Sequence, residues 1–284
     1  MPEQVLIIGA GTMGWGIAQV FAQAGHAVVL EDVDPDALEK GLAGMRKSLA
    51  KLHEKGRIDE PADVVAARVH TQSTASDHAP GVGVAIEAVF ENMELKKKVL
   101  DALEARLEPG ALLATNTSGI PIGELAGVLE RPERFLGLHF FNPSVLMRIV
   151  EVVKGSLTSG QAFDEAVGLV ESLGKEPVQV KRDIPGFVLN RISMVASNEA
   201  IRLVEQGVAS VADIDRGIKG AFGWRMGPLE TADLVGLDVL LAARGQIFEL
   251  TGDERFEPPE LVRKLVAEGK TGRKAGAGFY EYDS

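Results

Sequence analysis

An unbroken apolar run, Val5-Leu6-Ile7-Ile8, leads straight into the glycine-rich turn Gly9-Ala10-Gly11-Thr12-Met13-Gly14. Apolar residues then recur at helical spacing, at Ile17, Val20, Phe21 and Ala24. Gly25-His26 closes that helix, and a second buried strand follows over 27–32, ending in Glu31-Asp32. Further runs of strand character lie at 68–73, 82–88, 111–115, 135–141, 148–153 and 177–180. Between them the spacing predicts helices over 37–55, 61–67 and 161–173. Two more are anchored on Leu95, Val99, Leu100 and Leu103, and on the stretch from Pro121 to Leu125. Strand and helix in alternation predict an α/β fold with a doubly wound, mostly parallel sheet. The alternation stops at Asp183-Ile184-Pro185-Gly186, and only helical patterns follow. Residues 1–184 are therefore expected to form one domain and 185–284 a smaller, all-helical second one.

The first helix of that second half offers two faces. Ile192, Val195, Ala196, Ala200, Leu203 and Val204 form the stripe expected to face the core. Asn190, Ser193, Met194, Ser197 and Ile201 lie opposite, as a solvated face or as the wall of a cleft. The tail Gly276-Ala277-Gly278-Phe279-Tyr280 is glycine-rich and aromatic, and is expected to pack back on the body.

Strand, G-x-G-x-x-G, helix, strand, acid is the order that binds a dinucleotide. Gly9 permits the tight turn, Gly11 lets backbone approach a pyrophosphate, and Gly14 lets helix and strand pack closely. Thr12 and Met13 open the helix, whose N-terminal N–H groups and dipole favour phosphate. Asp32 can accept the hydroxyls of an adenosine ribose and repel a 2′-phosphate; Glu31, Asp34 and Asp36 add negative charge around it. Ligands of such sheets bind outside the carboxyl ends of the strands, where Asp32, Glu91, Asn116, Ser118 and His139 all fall.

Composition narrows the field. In 284 residues there are 41 acidic and 30 basic side chains, a net charge of −11, which disfavours nucleic acid and anionic membrane surfaces as partners. There is no cysteine, so disulfides and thiol catalysis are excluded, as in a reducing compartment. The first strand begins within a few residues, leaving no room for a signal peptide, and no apolar run approaches the ~20 residues of a membrane span. The five histidines are scattered, so no metal site is expected.

Against the net charge, Arg46, Lys47, Lys51, Lys55 and Arg57 gather on and beyond one helix. They read either as a solvated face with cations at the negative dipole end or as a site for substrate phosphates. His139 and Glu151 are the pair with chemistry. Asn142-Pro143 forces a turn between them, and Glu151 sits in the apolar run Ile149-Val150-Glu151-Val152-Val153. A charge there is rarely unpaired, and a carboxylate beside an imidazole orients it and favours its charged form. Both a general base with its partner and a structural hydrogen bond fit this pattern.

The whole chain resembles the 3-hydroxyacyl-CoA dehydrogenases of the bacterial 3-hydroxybutyryl-CoA type. The resemblance rests on G-x-G-x-M-G-x-G-I-A at 9–18, E-A-V-x-E-N at 87–92, N-T-S at 116–118 and L-H-F-F-N-P at 138–143. It extends through D-x-P-G-F-x-x-N-R at 183–191, M-G-P at 226–228 and G-x-G-F-Y at 276–280. A second serine often follows N-T-S in that family; here Gly119 stands there. The resemblance implies a Rossmann-like domain followed by a helical domain for substrate and dimerisation. It implies reversible oxidation of (S)-3-hydroxyacyl-CoA with NAD, as in fatty acid β-oxidation, by a cytoplasmic homodimer. It implies His139 as general base with Glu151, and Ser118 and Asn190 on the substrate's oxygens. It implies Asp32, Glu91, Lys96, Ser118, Asn142 and Lys274 on the cofactor side, and Ser48 and Lys55 on coenzyme A. Two other readings are an NAD(P)-linked dehydrogenase of a CoA-free hydroxy acid, which the basic helix disfavours, and a catalytically idle relative like the lens crystallins. Intact His139, Glu151, Ser118 and Asn190 disfavour the last.

Overall fold

A computed structural model describes residues 4–74 and 78–282. The chain divides into two compact units, Met1–Ile184 and Pro185–Ser284. The first holds one eight-stranded sheet with strand order β3-β2-β1-β4-β5-β6-β7-β8. The strands are β1 (Gln4–Ile8), β2 (Val28–Glu31), β3 (Val69–Gln72), β4 (Val82–Glu87), β5 (Leu112–Thr115), β6 (Phe135–Phe140), β7 (Ile149–Val153) and β8 (Glu176–Val180). All neighbours are parallel except β6 and β7, which run antiparallel. The order reverses between β1 and β4, the Rossmann switch point at which such sheets bind dinucleotides.

Among the described residues six α-helices accompany this sheet: α1 (Thr12–Gln23), α2 (Pro35–Glu54), α3 (Ala62–Ala66), α4 (Met93–Glu104), α5 (Ile122–Ala126) and α6 (Gly160–Ser172). Their starts follow from local chemistry. Asp34 caps α2 by accepting from Asp36 N–H, with Pro35 in the first turn, and Asn92 caps α4 by accepting from Leu95 N–H. The buried core runs from Val5, Ile7, Val28 and Leu30 through Val84, Ile86 and Ala114 to Leu138, Val150 and Val152. Near-continuous apolar runs are what strands covered on both faces require. The stripe expected on α4 is modified: Leu95 is exposed and Lys96 turns inward at 1% exposure. Buried acceptors, described below, meet its ammonium.

The second unit is helical: α7 (Leu189–Glu205), α8 (Val211–Phe222), α9 (Pro228–Val235), α10 (Leu237–Thr251) and α11 (Glu260–Ala267). Ala200, Ile201, Leu229, Ala232, Leu237 and Val262 form its main apolar cluster. The face expected to be buried on α7 is only partly the one that is: Ala200 is buried and Val195 and Val204 pack against the apolar clusters, but other expected positions are not buried. Ile192 is 59% exposed, whereas Met194, Ser197, Asn198 and Ile201 are buried. The reason is polar satisfaction. Ser197 Oγ donates to the Met194 carbonyl and accepts from Arg244 Nη2 at 2.6 Å, and Asn198 Nδ2 donates to the Arg255 carbonyl. Burial pulls the Arg244 guanidinium down to about 10, which still leaves it charged at neutral pH. Among the described residues, no helix is long and apolar enough to cross a membrane.

Two buried aspartates tie this unit together. Asp215 accepts from the Leu229 and Glu230 N–H groups at the start of α9 and from the Tyr280 hydroxyl. Asp233, on α9, accepts from the Phe279 and Tyr280 N–H groups and the Tyr282 hydroxyl, all at 2.9 Å. The aromatic tail is thus held through its backbone. Asp233→Ala leaves three donors without their acceptor and is expected to lower unfolding free energy by ~2 kcal/mol or more. A urea titration that leaves the midpoint unchanged would show that the tail is not tied by this carboxylate.

Candidate active site

The glycine turn has the shape that its sequence requires. Gly9 takes φ +102°, and a Cβ there would lie 2.7 Å from the Ala88 carbonyl oxygen. A Cβ on Gly14 would lie 1.7 Å from the Gly9 carbonyl oxygen, so α1 reaches the end of β1 only because Gly14 has no side chain. A Cβ on Gly11, by contrast, would meet no protein atom within 4 Å. Gly11 caps α1, so the N–H groups of Thr12 and Met13 open the helix beside that uncrowded face. Asp32 follows β2; its Oδ2 accepts from Ala10 N–H at 2.7 Å and its Oδ1 from Asp34 N–H at 2.9 Å. The carboxylate is thereby fixed against the turn. These residues fit a dinucleotide: a turn with an uncrowded face, a helix N-terminus, and an oriented acid for the ribose.

Glu31 takes no part in this. Adjacent strand residues point to opposite faces, and Glu31 meets Arg106 in a bidentate pair at 2.9 and 2.7 Å, largely buried. Its charge is neutralised, contrary to the expectation that it adds to the field around Asp32.

At the far side of the switch point, β6 and β7 bring the chemistry together. Their antiparallel register sets His139 directly opposite Glu151. Directly opposed residues share one face with their Cβ atoms ~5 Å apart, and here His139 Nδ1 donates to Glu151 Oε2 at 2.7 Å. The imidazole is 7% exposed and the carboxylate fully buried. A carboxylate can only accept from Nδ1, which leaves Nε2 as the basic nitrogen of the neutral ring. The Phe141 ring lies 4.4 Å from the imidazole, centroid to centroid. Asn116, at the end of β5, accepts from Phe140 N–H at 2.9 Å and so joins β5 to the end of β6.

Glu91 organises the loop that carries Ser118. One of its oxygens, Oε1, accepts from Thr117 Oγ1 at 2.6 Å, Ser118 N–H at 3.0 Å, Gly119 N–H at 3.2 Å and Ser118 Oγ at 3.3 Å. Burial works to raise the Glu91 carboxyl, but the Lys96 ammonium and these donors outweigh it and hold it below the usual carboxylate value. Lys96 donates to Glu87 Oε1 at 2.8 Å and to the Val89 carbonyl at 3.3 Å, and lies 3.3 Å from Glu91 Oε2. Its three N–H groups are thereby committed to protein acceptors, so it faces a cofactor only through Glu91.

The remaining sequence-derived residues are more scattered. Asn142 lies exposed in the loop between β6 and β7. Ser48 and Lys55 lie seven positions apart, so they share a side of α2, Lys55 being its C-terminal cap. In the helical unit, Asn190 stands in the first turn of α7, just after buried Phe187 at φ +50°. Lys274 pairs with Asp238 at 2.6 Å. The sequence reading passed over Glu87 and Thr115, the buried layer beneath Glu91. The signal was present: an acid ends the apolar run Val82 to Ile86, nine positions before a lysine.

Comparison with known proteins places the chain in a family. Residues 4–184 match the NAD binding domain of 3-hydroxyacyl-CoA dehydrogenase, and residues 186–282 match its C-terminal domain. The chain is 40% identical over 283 residues to a 3-hydroxybutyryl-CoA dehydrogenase of Clostridioides difficile, covering 99% of each chain. It is 40% identical to the mitochondrial hydroxyacyl-coenzyme A dehydrogenase of Sus scrofa, covering 99% of this chain and 91% of the relative. The crystal structure of an (S)-3-hydroxybutyryl-CoA dehydrogenase from Ralstonia eutropha superposes with a TM-score of 0.93 at 39% identity, covering both chains completely.

The ribose end of the turn generates a test of cofactor choice. Asp32, Asp34 and Asp36 stand there with no arginine among them, and nearby Arg106 is committed to Glu31. NADH is expected to exceed NADPH by at least roughly tenfold in kcat/KM, about 1.4 kcal/mol. Equal steady-state rates with the two would refute this reading of Asp32.

Proposed function

The chain belongs to the 3-hydroxyacyl-CoA dehydrogenase family and is an NAD-dependent enzyme, and on that premise we propose that it interconverts (S)-3-hydroxybutyryl-CoA and the 3-oxoacyl thioester with a His139–Glu151 pair as general acid and base. The observation that carries the reading is the buried 2.7 Å contact between these two side chains at the carboxyl end of the sheet. A dinucleotide held by the glycine turn and Asp32 would supply the hydride acceptor for the carbon that bears the hydroxyl. His139 Nε2 takes the hydroxyl proton, and the Glu151 carboxylate stabilises the imidazolium that forms. In the reverse direction the imidazolium returns that proton to the carbonyl oxygen. Ser118, on the loop held by Glu91, and Asn190 hold the substrate's oxygens. The short acyl chain is taken from the names of the relatives. The helical unit exposes Phe222, Trp224, Leu234, Val235 and Val239, which supports a homodimer formed through it.

Initial rates with NADH and 3-oxoacyl-CoA esters of increasing length test the reading, with the four-carbon ester expected to be preferred. His139→Gln keeps size and polarity but cannot take the proton, so kcat is expected to fall ~10²–10⁴-fold while NADH binding survives. Glu151→Gln neither offsets the imidazolium charge nor secures the Nδ1–H tautomer, and is expected to cost at least ~10-fold in kcat. Near-normal kcat in His139→Gln would send the proton elsewhere and end the assignment.

Coenzyme A is assigned to the basic side of α2, with Ser48 and Lys55. Arg46, Lys47, Lys51, Lys55 and Arg57 are all exposed, in a chain of net charge −11. Lys55→Glu is expected to raise KM for the acyl-CoA several-fold at low ionic strength, less in high salt, and to leave KM for NADH unchanged. An acyl-CoA KM that does not move at low ionic strength would return this helix to a solvated face.

A further inference from the structure

We propose that the cluster of Glu87, Lys96 and Glu91, buried at Glu87 and Lys96 and open at Glu91, sets the relative affinity of the enzyme for the oxidised and the reduced nicotinamide ring. The cluster is a closed set of hydrogen bonds. Glu87, fully buried at the end of β4, accepts from Val89 N–H at 2.7 Å, Thr115 Oγ1 at 2.7 Å and Lys96 Nζ at 2.8 Å. Thr115 Oγ1 itself accepts from Thr117 N–H at 3.2 Å, so its own proton points at Glu87. Every one of these neighbours donates to Glu87, the pattern of an ionised carboxylate. Glu91 is likewise surrounded by donors. Two carboxylates and one ammonium leave one net negative charge.

The buried Glu87–Lys96 pair is balanced within itself, so the net negative charge resides with Glu91, whose side chain is 34% exposed on the open side of the cluster. Beyond the loop donors that it accepts, a negative charge there favours a cation over a neutral group in the same place. Of the groups in the dinucleotide, the nicotinamide ring alone is cationic when oxidised and neutral when reduced. The pyrophosphate carries the same charge in both states and cannot discriminate.

Position supports this. Glu87 is paired in register with Ile8, and Ala88 N–H donates to the Ile8 carbonyl at 2.8 Å, so the end of β4 adjoins the glycine turn. That is the side away from β2 and Asp32, where the adenosine half is assigned. The inference here rests on the proposed reaction. Proton and hydride leave the same region of the substrate, so the ring must lie near the groups that His139 and Ser118 serve. Glu91 holds the Ser118 loop directly. A unit charge within ~10 Å at an effective dielectric of ~20 changes a binding ratio about tenfold.

The test is equilibrium binding of NAD⁺ and NADH, by calorimetry and by nucleotide fluorescence, without any acyl substrate. Glu87→Gln removes one negative charge and is expected to raise Kd(NAD⁺)/Kd(NADH) by about threefold or more. Lys96→Met removes the positive charge and is expected to lower the same ratio by a similar factor. A purely structural role would weaken both nucleotides together and leave the ratio in place. Ratios that stay fixed, or that move in the same direction in both variants, overturn the proposal. Should Lys96→Met fail to fold, Glu91→Gln, on the open side of the cluster, must raise the ratio as Glu87→Gln does; an unchanged ratio again overturns it. The catalytic reading fails separately, in the His139→Gln rates, because no turnover enters the binding ratio.

Discussion

β7 runs against β6, and the contact between His139 and Glu151 exists only because of that reversal. In the parallel part of the sheet, the strand ends carry polar residues that converge from loops. His139 and Glu151 instead meet across two paired strands, as directly opposed residues of a ladder. The side-chain period of a strand is two, so a slip of one residue in this register would turn Glu151 to the other face and replace it by Val150 or Val152. Neither could orient an imidazole. Gly137 helps pin the register: a Cβ there would come within 3.0 Å of Val153 on β7 and 2.9 Å of Ile122 on α5. A pair built on two strands is held more rigidly than one built on loops.

The cluster under the Ser118 loop relies on a different kind of restraint. Glu87 and Lys96 are desolvated, and removal of Lys96 would leave the buried Glu87 carboxylate uncompensated, which is far more destabilising than the intact pair is stabilising. That asymmetry keeps the loop in one conformation. Thr117, Ser118 and Gly119 all present their donors to a single carboxylate oxygen. Gly119 supplies its backbone N–H to the same oxygen, so a loop that departs from the N-T-S-S form usual in the family still has its fourth position anchored.

Much of this was legible in the sequence, for physical reasons that differ from residue to residue. The strand–glycine–helix unit was readable because Gly9 and Gly14 are demanded by backbone approach, which no other residue type allows. His139 and Glu151 were readable as candidates because a charge inside Ile149 to Val153 has few places to go. The ion pairs were not. Nothing local assigns Arg106 to Glu31, 75 positions away, and so Glu31 was expected to add to the field at Asp32. The burial of Lys96 in place of Leu95 depends on Glu87, which lies on another element. The inward face of α7 was legible only in part, at Ala200, Val195 and Val204, for the same reason. Apolar periodicity identifies a helix, but Ser197 and Asn198 are buried by their partners Arg244 and Arg255 far along the chain.

The excess of acids acquires a structural meaning from these contacts. Carboxylates recur as acceptors for backbone N–H groups where the chain turns. Asp32 takes Ala10 and Asp34, Glu91 takes Ser118 and Gly119, and Glu104 takes Glu130 and Arg131 at 2.7 and 2.8 Å. Asp183, the second-last residue of the first unit, takes Gly123 N–H at 2.8 Å at the start of α5. Asp215 and Asp233 do the same in the helical unit. A turn or helix start exposes N–H groups that the ladder cannot satisfy. A carboxylate, with up to four acceptor sites and none to donate, closes several at once, and more strongly than a neutral group does. Ammonium and guanidinium groups cannot substitute, because they bring further donors to a place already rich in them. A chain without cysteine that must hold glycine-rich loops in fixed shapes has in the buried acid the side chain suited to that task. The same donors that fix a loop also keep the acid ionised, so the restraint and the negative charge near the dinucleotide arise from one arrangement.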